Sequence, residues 1–206
     1  MKKLFFITMV ILAFSILNAE KKISYGLKIG GNIANQTFKH SEFPDLDTDN
    51  RLGFTAGIFA EYNVNPNFSF LFEGDYVQKG MQFDLDYTDE NGIVYKKVTK
   101  DNHVDYLSVP MLGKYSLNIK TAKIYAIAGP RLDVLLGYSG MMENVYDEFD
   151  SVDFGATFGL GYEFHLVNSR NLLLEMRYSP SLTNSYETDL LKVKNSSFEF
   201  YTGIKF

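Results

Sequence analysis

The 206-residue chain contains no cysteine and no tryptophan, and only 5 prolines. Without cysteine there is no disulfide framework and no thiolate metal centre. An acyl-anchored lipoprotein is excluded for the same reason. Positive charge is also scarce: 20 Lys and Arg stand against 25 Asp and Glu, a net charge of −5. No basic stripe for nucleic acid exists in such a chain. Beyond the first 19 residues, no apolar run approaches the ~20 residues that a membrane helix needs. Mean hydropathy is close to zero, where a helical membrane protein of this size would be far more apolar. What the chain does have is aromatic residues, 18 Phe and 14 Tyr, which suit strands and membrane interfaces. The length fits one β domain of ~200–250 residues.

Met1 to Ala19 reads as a secretory signal, residues 1–19, leaving a single domain over 20–206. Lys2 and Lys3 form the positive start, Leu4 to Leu17 the apolar core, and Leu17-Asn18-Ala19 the cleavage site. Removing it takes away two lysines and no acids, so the remainder is more acidic still.

Short alternating segments then follow one another, separated by turns. Strands are predicted over Ile23–Asn35, Arg51–Asn63, from Phe68 past Gly80, about His103–Leu117, about Lys123–Gly137, Asp153–His165, from Leu172 to about Leu182, and Ser197–Phe206. Gln36–Asn50, Tyr138–Val152 and Ser185–Ser196 read as loops. Val64-Asn65-Pro66-Asn67 reads as a tight turn, and Glu90-Asn91-Gly92 as a hairpin tip. The closing segment shows the pattern: Phe198, Phe200, Thr202, Ile204 and Phe206 fall on one face, and Ser197, Glu199, Tyr201, Gly203 and Lys205 on the other. Pro110 and Pro130 fall within strands, and proline lacks a ladder donor, so local bulges are expected there.

Eight strands with alternating long and short connections match an up-and-down transmembrane barrel. Alternation alone leaves a soluble ligand-binding periplasmic barrel open. The composition of the two faces, together with the signal and the terminal Phe206, favours the membrane. It carries Glu61, Glu73, Asp75, Lys114, Arg131, Asp133, Glu163, Glu175, Arg177, Glu199 and Lys205, mixed with Gly and Ser. Charges of both signs suit a narrow lumen where they must pair. Phe, Leu and Ile, with Tyr62, Tyr76, Tyr115, Tyr162 and Tyr178 near strand ends, suit lipid. An eight-stranded interior is filled by side chains, so an open pore is not expected. The expected fold is all-β: an eight-stranded antiparallel up-and-down transmembrane β-barrel, OmpA/OmpX-like.

The ordered set Gly26-Leu27-Lys28-Ile29-Gly30-Gly31-Asn32, Gly53 to Tyr62, Gln78-Lys79-Gly80, Tyr106-Leu107-Ser108-Val109-Pro110, Ala128-Gly129-Pro130, Phe154 to Phe164, Arg177-Tyr178-Ser179 and Gly203-Ile204-Lys205-Phe206 resembles the PorT-like outer-membrane β-barrel family of Bacteroidetes. Where that family often has Glu before an aliphatic residue and Pro, this chain has Ser108. The resemblance implies a Gram-negative outer-membrane location and contact with outer-membrane lipid and lipopolysaccharide. It also implies a terminal signal for the barrel-assembly machinery at Phe206, Ile204 and Phe200. A structural or loop-mediated role is expected of a monomer with an unidentified protein partner at its outer loops. The family name offers envelope export or assembly, of type IX secretion kind, as the alternative.

Site chemistry is thin. Asp45-Leu46-Asp47-Thr48-Asp49 begins like a calcium loop, but Asn50 and Ala56 stand where Gly and Glu are needed. Exterior acids, including Asp84, Asp86, Asp89, Glu90, Glu143, Asp147, Glu148 and Asp150, could bridge through divalent cations to lipopolysaccharide. His103, Asp105 and Ser108 are the only local His, carboxylate and hydroxyl grouping, and strand parity puts Ser108 on the other face from His103. His40 is placed in a loop and His165 at the inner rim. No cofactor, resident metal or catalytic residue is expected.

Overall fold

The computed structural model describes residues 22–40, 48–120, 122–140, 150–166, 170–188 and 190–206. The segment Met1–Ala19 and the acidic residues Asp45, Asp47, Glu143, Asp147 and Glu148 lie outside the described residues.

Alternation of large apolar with small or charged residues makes each segment a strand with one face for lipid. In chain order the strands are β1 (Ile23–His40), β2 (Arg51–Asn63), β3 (Phe68–Thr88), β4 (Val94–Ile119), β5 (Ala122–Ser139), β6 (Val152–His165), β7 (Asn171–Pro180), β8 (Tyr186–Glu187) and β9 (Leu191–Lys205). Each of β1 to β6 pairs antiparallel with its successor, β7 pairs with β9, and β9 returns to β1. Leu27 stands opposite Ile204 and Ile33 opposite Phe198 at this closing seam. β8 takes over the edge of β9 above Pro180, with Tyr186 opposite Val193.

The apolar face points outward. Leu27, Ile58, Phe72, Phe158 and Phe200 are exposed, whereas Lys28, Glu61, Glu73 and Glu199 are buried. A soluble barrel has the opposite polarity, so that alternative is excluded.

Three strands are longer than the sequence suggested. β1 runs to His40, so Gln36 and Phe38 are buried wall residues rather than loop, and His40 ends a strand. β4 begins at Val94 rather than His103 and β9 at Leu191 rather than Ser197. The reason is an inversion of amphipathic sense beyond the membrane. There the inward residues are apolar (Phe38, Met81, Phe83, Val193) and the outward ones polar (Lys39, Asp84, Lys192). A sheet with one solvated face has this pattern.

β3 and β4 extend furthest. β2 leaves β3 at Val77 and β5 leaves β4 at His103, but β3 and β4 stay paired to Thr88 and Val94. The result is a two-stranded ribbon, turned at its tip by Gly92 (φ 76°) and an Asp89 side chain that accepts from Asn91 and Ile93 backbone N–H. Gly80 (φ 126°) sits at the ribbon's base, where a Cβ would run into the Asn102 carbonyl.

The expected proline bulges are absent. The β4–β5 register is the same at Pro110–Arg131 and at Gly113–Ala128, and Gly129, Pro130 and Arg131 pair in step with β6. Each proline removes a donor without adding a residue, so alignment is kept. The irregularities fall at Asp105/Tyr106 and Tyr87/Thr88 instead.

Candidate functional site: the packed lumen

Every second residue of a barrel strand faces inward, so the lumen is built in tiers. The lowest tier, at the tight-turn end, has four members. Lys114 on β4 lies 3.1 Å from both Glu61 on β2 and Glu163 on β6. Lys205 on β9 lies 3.2 Å from Glu61 and 2.5 Å from Glu163. The four strands sit at quarter turns of the ring. Charges therefore alternate around a closed square, and each carboxylate is held by two ammonium groups. Ser69 donates to the second oxygen of Glu61, and Asn171 adds a bond to the Glu163 oxygen that Lys205 holds.

Above this square lies an apolar layer of Phe59, Leu71, Leu112, Tyr125, Ile127 and Leu173. Phe59, Leu71, Leu112 and Leu173 each stand two residues before a charged residue on the same face (Glu61, Glu73, Lys114, Glu175). A cavity of about 10 Å³ remains between this layer and the next tier, room for about one water molecule.

The middle tier crosses the lumen. Arg177 on β7 donates to both oxygens of Glu73 on β3, at 2.6 and 2.8 Å, and its Nε bonds Glu175. β3 and β7 are opposite walls of the ring. Lys28 binds Glu73 at 2.7 Å and Asp75 at 2.8 Å. The Tyr201 ring lies under both cations, 4.3 Å from the Lys28 ammonium and 5.0 Å from the Arg177 guanidinium. Tyr201 and Ser197 hydroxyls donate to Glu199.

Next come Lys79, Arg131 and Asp133, in which Asp133 is shared at 2.5 Å by Lys79 and 3.0 Å by Arg131. Asp153, opposite Asp133 on β6, is fully buried. It accepts from Ser181, Thr183, Ser185 and Asn195. These donors tie the chain between β7 and β9 to the mouth. Phe38, Met81, Phe83, Val104, Tyr106 and Val193 close the lumen above them as an apolar core.

All eleven charged residues read from the sequence as facing the lumen lie inside the ring. Ten are buried and Glu175 is partly so. Lys28, Lys79 and Asp153 stood on the polar faces without being assigned to that network, and they hold key positions in it. The two apolar clusters were not anticipated. Their signal was present in parity, since Phe59 and Glu61 share a face.

The terminal residue is anchored. Phe206 donates its N–H to the Tyr25 carbonyl at 2.8 Å, its ring lies 5.8 Å from that of Tyr25, and the Arg170 guanidinium is 5.5 Å away. Ile204 and Phe200 face outward. His103 faces outward and Ser108 inward, so that grouping does not converge. His165 Nδ1 pairs with Asn171 at 2.8 Å.

On the ribbon, Thr99 donates to Asp84 at 2.6 Å and Lys97 lies 3.0 Å from it. Hydrogen bonds from Thr99 and Lys97 hold this carboxyl below its ordinary value. Tyr87, Ile93, Val94 and Tyr95 are exposed towards the tip.

The family profile described as "Outer membrane protein beta-barrel domain" matches residues 15–187. Among solved structures, the chain is similar to Neisserial surface protein A, with 17% identity, a TM-score of 0.50, and coverage of 88% of this chain and 95% of that one. It is also similar to the outer membrane protein OprG from Pseudomonas aeruginosa, with 11% identity, a TM-score of 0.54, and coverage of 90% and 96%. At these identities the likeness is one of fold. No curated protein matches the chain. The ring of eight strands, its apolar exterior and the profile match together place the chain in the outer membrane, as a member of the outer membrane protein β-barrel domain family.

Proposed function

We propose that this is a small outer-membrane barrel with a structural or loop-mediated interaction role, and that it is not an open pore. The observation that carries the reading is the Arg177–Glu73 fork, which spans the lumen from wall to wall above the closed square of Lys114, Glu61, Lys205 and Glu163. Eight strands leave a lumen just wide enough for side chains to fill. Interaction falls to the outer end, where the ribbon offers Tyr87, Ile93, Val94 and Tyr95 to solvent. The barrel acts as a monomer in contact with outer-membrane lipid and lipopolysaccharide, and divalent cations bridge its acidic loops to the latter. EDTA should then loosen lipid association more in the wild type than in a loop-neutralised variant.

Two measurements test the main reading. Planar-bilayer recording of the refolded protein should show no conductance steps; steady channel openings would overturn the closed lumen. A photo-crosslinker at Tyr95 should capture a surface partner in intact cells, and the same crosslinker at the outward, lipid-facing Phe72 should not; equal capture at both positions would remove the ribbon as the contact surface.

The PorT-like motifs favour a second reading, a part in envelope export or assembly. Co-purification of export components in mild detergent would support it, and normal secretion in a deletion strain would remove it.

A further inference from the structure

Seven seams of the eight-stranded ring join strands that follow one another along the chain. A turn or loop helps to set their register. The remaining seam, β1–β9, joins the two ends of the domain, with Gly26 opposite Lys205, and no turn spans it.

The lipid side of this seam has little power to choose an alignment. Leu27, Ile29 and Ile33 face Ile204, Thr202 and Phe198, all pointing outward. A two-residue slide keeps that side almost wholly apolar. A one-residue slide turns the faces of β9 over and drives its charges into lipid.

The lumen side does choose. Lys205 reaches Glu61 at 3.2 Å and Glu163 at 2.5 Å, and its side chain is only 8% exposed. With the other seams held by their turns, a two-residue slide here carries its ammonium about 7 Å along the wall relative to the N-terminal strands, out of reach of Glu61, while Glu163 stays on its own side of the seam. The square would open at Glu61, which would keep Lys114 as its single cation. The other contacts from β9 to the N-terminal strands at this seam include neutral hydrogen bonds, Tyr201 to Thr55 at 2.7 Å and Gln36 to Asn195 at 2.9 Å. Charge-assisted bonds are about twice as strong as neutral ones.

We propose that Lys205 is the register key of barrel closure: docking of its ammonium between Glu61 and Glu163 selects one alignment of β9 on β1 over those displaced by two residues. Lys205 acts here as a positioning residue, and its effect is read in alignment rather than in stability alone.

The absence of native cysteine makes a direct test available. Ile29→Cys with Thr202→Cys reports the native register. Ile29→Cys with Phe200→Cys, or with Ile204→Cys, reports the two displaced ones. A disulfide needs Cα atoms about 4.4–6.8 Å apart, which directly opposite residues meet and diagonal neighbours at about 7–8 Å do not. Oxidation of the refolded, otherwise wild-type barrel should join only the native pair. Adding Lys205→Met should raise a displaced product about tenfold or more, as expected when a buried charge loses its partner. Lys205→Arg should restore the native pattern.

Lys205→Met with Glu163→Gln rebalances the charge of the square without restoring the key, and it carries the measurement if the single variant does not fold. The displaced product should persist in this double variant. Native-only crosslinking in Lys205→Met, or disappearance of the displaced product in the double variant, would overturn the proposal.

Discussion

Arg177 and Glu73 stand on opposite walls of the barrel and meet in a two-bond fork of 2.6 and 2.8 Å, 104 positions apart in the chain. Both side chains are almost fully buried. Removing one partner strands a charge in the lumen, which costs about 3–5 kcal/mol. Arg177→Met should therefore lower the unfolding free energy by about that amount in urea titrations of the micelle-refolded protein. Arg177→Met with Glu73→Gln should recover part of the loss. Equal stability of wild type and single variant would show that the fork contributes nothing.

Asp153 holds the mouth through four donors and no ion pair closer than 4.0 Å among the described residues. Each buried donor left unpaired costs about 1–3 kcal/mol. Asp153→Ala should cost about 2 kcal/mol or more and expose the chain between β7 and β9. Amide exchange at Ser185, whose N–H donates to Val193, should accelerate while exchange in β4 and β5 stays slow.

Phe206 closes the seam through its N–H to Tyr25 and its ring between Tyr25 and Arg170. If Phe206, Ile204 and Phe200 also serve the assembly machinery, Phe206→Ala should reduce the heat-modifiable, membrane-inserted fraction in cells several-fold. Refolding of the same variant into micelles should be far less affected. Equal losses in both settings would assign the residue to packing alone.

Asp84 on the ribbon is held below its ordinary value by hydrogen bonds from Thr99 and Lys97. A depressed carboxyl stabilises above its unfolded value, about 3.9, and loses that contribution as pH falls through its folded value. Ribbon amides should exchange faster below about pH 4, relative to intrinsic rates, in the wild type. In Asp84→Asn this acid dependence should shrink. An unchanged profile would exclude Asp84 as its source.

Much of the barrel was legible from residue order. β2 falls on Arg51–Asn63 and the closing strand takes in Ser197 to Lys205, as read from alternation. The lengths of β1, β4 and β9 were not legible, because their outer parts reverse the lipid-facing pattern and look like loop when only one polarity is sought. The proline positions misled for another reason. A missing donor was expected to force an extra residue, but the neighbouring pairs hold the register without one.

The candidate site divides in the same way. Residue order determined the ring of strands, the side turned to lipid, and the presence of paired charges within, because side-chain parity is a local property with period two. Only the tertiary structure decided that Arg177 meets Glu73, that Lys205 completes a square with Glu61, Lys114 and Glu163, and that Phe59, Leu71, Leu112 and Leu173 pack into one layer. Those meetings depend on how the registers of all the seams add up around the ring. No single stretch of the chain holds that sum.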